Sequence, residues 1–195
     1  MIEELGGRVA SVWSELRPAT RGLVERALQT NNPSAQTPSV PYDARADLEL
    51  SRFLAALDDR ASESALDAEK RDRLRMVADT CASVLQEKTQ SAEVFAQLVR
   101  RAEAQRDYQR IDRLADALTT RFARTEICEL ARAADLFVRE LAHEALARLP
   151  TAVLMTLLSD PIDAEVAREA LRRQVIEYGS EEAKQIVAAL DQTDL

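Results

Sequence analysis

His143 is the one histidine in the chain, and Glu140 stands three residues before it. On a helix an E-x-x-H step puts a carboxylate and an imidazole on one face, a turn apart. Carboxylate-bridged di-metal bundles use that step, but they use it twice. With no second histidine the ligand set is incomplete, and His143 reads as an ordinary helix residue. A Ser–His–acid set would need the same imidazole, and no serine sits in a nucleophile-elbow pattern. Cys81 and Cys128 lie in apolar helical patterns without C-x-x-C spacing, which makes them small buried hydrophobes. Gly6 and Gly7 fall within a helical pattern and make no phosphate loop, and no D-x-D-x-D-G calcium loop occurs. Acid pairs such as Asp58–Asp59 and Glu181–Glu182 point in different directions along a helix and read as solvated charges. No catalytic residue, cofactor or metal site is assigned.

Binding chemistry has better candidates. Arg106, Arg110 and Arg113 are spaced i, i+4 and i+7, which would form one basic edge on a continuous helix, with Arg100 or Arg101 close by. Such an edge would receive an acidic segment or a phosphate. Glu103, Asp107 and Asp112 are interleaved with it, so a solvated face with internal ion pairs competes with that reading. Trp13 is the only tryptophan, either an anchor for a partner or a cover for the chain's own bundle.

The elements that must position these residues are helices. Hydrophobic residues make up 46% of the chain and charged residues 31%, with only 4 Gly and 6 Pro, which is globular composition dominated by strong helix formers. No stretch alternates apolar and polar residues in the two-residue period of a strand. The expected class is all-α, with stacked antiparallel helical hairpins forming a HEAT-like solenoid or an irregular bundle.

The formal net charge is −8. Residues 160–195 hold nine acids against four bases, so that end alone carries −5. An acidic chain without a basic patch argues against nucleic acid, whose binding depends on Lys and Arg displacing phosphate counterions. No run of 18 apolar residues suggests a membrane span and no secretory signal opens the chain, so a cytoplasmic location is expected.

Ile2, Leu5, Val9, Val12, Trp13 and Leu16 form one helical stripe, and Pro18 starts a second helix ending near Thr30. Residues 1–30 are therefore expected to be an N-terminal helical arm. Residues 31–42, NNPSAQTPSVPY, read as a Pro-rich linker. Helical hairpins follow over 43–124, with Asp43 capping the first and Ser64 with Asp67 resembling a capping box for the second. Ser91 and Asp107 open the next two helices, the latter turning Tyr108, Ile111, Leu114 and Leu118 inward. Residues 125–195 continue the array, with Thr125, Asp160 and Ser180 as caps, Pro161 at a first helical position and Gly179 as a stop. Residues 43–195 are expected to be one continuous domain.

The final third contains DLFVRELA (135–142), a D-x-x-V-R-x-x-A string. It resembles the second-helix signature of HEAT-type repeats. LLSDPIDAEVAREAL (157–171) resembles a further unit, with Ala167 where the arginine should stand and Arg168 displaced by one. The resemblance implies an α-solenoid whose stacked hairpins share a core, with the Asp and Arg linking neighbouring repeats. HEAT-type arrays mostly serve as protein-binding scaffolds, and a minority bind nucleic acid.

The functional expectation is a non-catalytic protein-interaction scaffold or adaptor. Its partner would be another protein, or a second copy engaged through residues 1–30. The alternatives are an enzyme using carboxylates in a helical cleft and a HEAT-like nucleic-acid-binding protein.

Overall fold

The computed structural model describes residues 2–30 and 42–193, and most of the expected linker lies outside them. Among the described residues there are eleven α-helices, one short 3-10 turn and no strand. Among the described residues no helix is long and apolar enough to cross a membrane. The chain divides into two compact units, residues 1–98 and 99–195.

The first unit holds the 3-10 turn Glu3–Leu5, then α1 (Gly7–Glu15), α2 (Pro18–Thr30), α3 (Ala44–Ala61), α4 (Ala68–Lys88) and the start of α5 (Ala92–Gln105). The single N-terminal helix anticipated from the stripe is broken at Gly6, which adopts φ 134°. That backbone calls for glycine, and a Cβ there would also stand 2.9 Å from Nε of the flexible Arg60 side chain, which would have to shift. Residues 2–30 pack within the first unit: α1 packs on α3, and α2 packs on α3 and α4. Trp13 is 8% exposed and tilts against Phe53, ring centroids 5.1 Å apart. Phe53, Leu54 and Leu57 on α3 and Leu74, Cys81 and Leu85 on α4 are fully buried. Each such leucine or phenylalanine contributes about 1.5–3 kcal/mol by leaving water.

A polar knot ties the α1–α2 corner to α3. The Glu49 carboxylate accepts from Arg17 Nε at 2.7 Å and from the buried Thr20 hydroxyl at 2.5 Å. Arg17 also donates to Asp43, whose other oxygen caps the first turn of α3. Burial alone would raise the Glu49 pKa, but hydrogen bonds from Thr20 and Arg17 outweigh it and hold the carboxyl below its ordinary range.

The second unit holds the rest of α5, then α6 (Tyr108–Arg121), α7 (Arg124–Ala131), α8 (Leu136–Ala147), α9 (Thr151–Leu157), α10 (Ala164–Tyr178) and α11 (Glu181–Thr193). Helix α8 packs on α6, α7 and α10, and α10 packs additionally on α9 and α11. Leu114, Leu118, Ile127, Val138, Leu146, Leu154 and Leu171 form its core.

Several starts differ from the expected ones for local reasons. Helix α4 opens at Asp67, whose carboxylate takes the Lys70 N–H, and Ser64 lies in the preceding turn. Helix α7 begins at Arg124 with Ala123 at the cap position, so Thr125 is already inside it. Asp160 does not cap a helix beginning at Pro161: its carboxylate takes the Ile162 N–H in a tight turn, and α10 starts three residues on. Ser180 does cap α11, and Gly179 ends α10 in the left-handed region at φ 63°.

Candidate functional site

In the second unit, α8 and α10 lie side by side and run in the same direction. Arg132, just before α8, bonds Asp163 at the start of α10 at 2.7 Å and also donates to the Ile162 carbonyl. Midway, Arg173 reaches back to Glu140 at 2.9 Å. At the far end the buried Gln174 amide donates to the carbonyls of Ala147 and Leu149, while its oxygen accepts from Thr151. Three polar links at three heights set the register between the helices. Removing the partner of the buried Asp163 or Gln174 would leave a desolvated group unsatisfied, whereas Glu140 is open to solvent.

Between these helices runs a groove of about 270 Å³, lined by Phe137, Glu140, Leu141 and Glu144 of α8 and by Arg173 and Glu177 of α10. Its lining sets three carboxylates against one guanidinium, and that guanidinium is shared between Glu140 and Glu169. Leu136 stands one turn before Glu140, 61% exposed, and Ile176 follows Arg173 on α10, 81% exposed. Within the groove Phe137 and Leu141 are half-buried, and Glu140, Glu144 and Glu177 are exposed.

His143 also lies on α8. It is half-buried, and its Nδ1 is enclosed without a hydrogen-bond partner. Burial, and then the Arg173 charge, push its pKa below the usual imidazole value, so it sits in the fold as a neutral ring. Cys128 on α7 is fully buried, and burial followed by the charge of Asp163 pushes its thiol up to about 11.

The expected basic edge is taken apart by the fold. Arg106 is not on α6: it ends the turn after α5 at φ 56°, and Asp107 then caps α6 through the Arg110 N–H. Arg110 turns inward, its side chain 12% exposed and paired with Asp107 at 3.8 Å, while Arg113 faces solvent. Arg101 is buried and Arg100 exposed. Tyr108, expected inside, is the first residue of α6 and is 68% exposed. Trp13, as described, covers the first unit's own core.

Comparison with family models, with curated proteins and with solved structures finds no match.

The repeat-like string behaves locally. Asp135 caps its own helix through the Phe137 and Val138 N–H groups, and Arg139 donates to the Ala133 carbonyl in the same turn. The links between hairpins come instead from Arg132, Arg173 and Gln174, none of which the sequence singled out. One signal was present: Leu136 and Ile176 are large apolar residues off the buried stripes, and Ile176 falls in the acid-rich residues 160–195.

Proposed function

We propose that this chain is a non-catalytic adaptor whose second unit receives a segment of a partner protein in the groove between α8 and α10. The carrying observation is the groove itself, lined by half-buried Phe137 and Leu141 and by exposed Glu140, Glu144 and Glu177. A basic, amphipathic helix is the complementary shape and charge, laying apolar side chains at i, i+3 and i+4 against the floor and Lys or Arg against the rim. Leu136 and Ile176 extend the apolar contact beyond the groove.

The side-by-side placement of α8 and α10, each the second helix of a hairpin, supports a HEAT-like reading of this region. The weakness of the D-x-x-V-R ladder counts against a regular repeat. Among the carboxylates, Glu49 is held ionised by its donors, the opposite of what a proton-transfer group near neutral pH needs.

The test measures binding of a designed Leu/Lys helical peptide to the full chain by fluorescence anisotropy, with a Leu/Glu peptide of the same pattern as control. The basic peptide is expected to bind at least about tenfold more tightly. Glu140→Lys with Glu177→Lys should abolish or reverse that preference. Equal binding of both peptides, or a preference untouched by the double substitution, would sink the proposal.

A further inference from the structure

A second site lies in the first unit and does not depend on the groove. Helices α2, α3 and α4, with the residues just before α3, enclose a cavity of about 150 Å³. Leu23, Leu50, Val84 and Tyr42 supply apolar wall, and Asp47 and Lys88 line the same space with opposite charges. Lys88 Nζ is buried and makes no hydrogen bond. An ammonium has three donors and no acceptor capacity, so a buried one calls for acceptors. The adjoining cavity is the space from which an acceptor can come, and the four-carbon stem lets Nζ turn to meet it. Asp47 is 5% exposed, and a carboxylate offers about four lone-pair sites, so it can accept from a ligand in addition to any bond it already makes.

The two charges narrow the ligand. A bare hydrocarbon would leave the lysine unanswered. A plain carboxylate would answer Lys88 but would meet the Asp47 charge across a small, weakly polar space. We infer that the cavity is a binding site for a small zwitterion, an α-amino acid with a short aliphatic side chain. Its carboxylate accepts from Lys88, its ammonium donates to Asp47, and its side chain packs on Leu23, Leu50 and Val84. The size agrees: cavities of this volume hold molecules of about benzene size, close to the roughly eight non-hydrogen atoms of valine.

The experiment titrates L-valine into the full chain by calorimetry and follows the melting temperature, with isovalerate (no amine) and isobutylamine (no carboxylate) as controls. L-valine is expected to release heat and raise the melting temperature, and each control to bind at least about tenfold more weakly. Lys88→Met should keep the helical circular dichroism, melt no lower than the parent in the absence of ligand, and lose L-valine binding. Leu23→Phe fills the space while keeping both charges. It should lose binding too, and it decides the matter if the methionine variant fails to fold. Absence of any L-valine uptake, uptake unchanged in both variants, or isovalerate binding as tightly as L-valine would each overturn the assignment.

Discussion

At the scale of single residues, His143 tests how the second unit treats charge. Its ring is half-buried beside the Arg173 guanidinium, and burial first, then that cation, disfavour the imidazolium. Because it is the chain's only histidine, its ring protons are resolvable in an NMR titration without assignment of others. The midpoint is expected below the ordinary 6.5. A depressed folded pKa means that the stability tied to the neutral ring is complete above 6.5 and is lost as pH falls through the folded value. Arg173→Gln should move the midpoint upward. A midpoint at or above the ordinary value in the parent chain would show that the ring is solvated and that α8 and α10 do not enclose it.

At the scale of elements, two helix ends adopt the same backbone conformation with different residues. Helices α5 and α10 both stop with a residue in the left-handed region, Arg106 at φ 56° and Gly179 at φ 63°. Closing backbone bonds accompany each: Asp107 N–H to the Ala102 carbonyl in the first case, Ser180 N–H to the Gln174 carbonyl in the second. For an L-residue that conformation costs about 1 kcal/mol, a penalty glycine escapes. Arg106→Gly is therefore expected to stabilise by about 0.5–1 kcal/mol, and Gly179→Ala to destabilise by about 1 kcal/mol. Urea denaturation of both variants checks the signs. The comparison is clean at Gly179, where a Cβ would meet no atom within 4 Å, so only the backbone responds. The glycine stop after α10 was legible in the sequence. The arginine stop after α5 was not, because nothing in its residue type announces a left-handed backbone.

At the scale of the whole molecule, acid stability follows from the carboxylates that the fold has paired. Asp43 is lowered chiefly by its bond from Arg17, Asp67 by the Lys70 backbone N–H it caps, and Glu49 by donors that overcome its burial. All three have folded pKa values below their ordinary ones, 3.8 for the aspartates and 4.5 for the glutamate. Their contribution is thus fully present above pH about 4.5 and drains away as pH falls through the lower folded values. Urea midpoints measured from pH 7 down to pH 3 should be flat and then fall. Glu49→Gln should cost about 1–3 kcal/mol at neutral pH, because it breaks a largely buried charged hydrogen-bond set, and should soften the acid slope. An acid profile unchanged by that substitution would mean that the Arg17–Thr20–Glu49 knot does not hold the corner between α1, α2 and α3.

The sequence by itself determined the class of the fold, most helix positions and the inward stripes. Those depend on local quantities: helix propensity, a 3.6-residue apolar period, capping aspartates and serines, and the glycine stop. Leu114 and Leu118 could be placed inside from spacing alone. Only the tertiary structure decided that residues 2–30 pack as part of the first unit, that Trp13 rests on Phe53, and that Arg106 leaves the line of Arg110 and Arg113. It alone brought Glu140, Glu144 and Glu177 to one groove, and Asp47 and Lys88 to one cavity. The pairings between helices join positions 33 to 41 residues apart, and long-range proximity is set by how helices stack, a quantity with no local period to read.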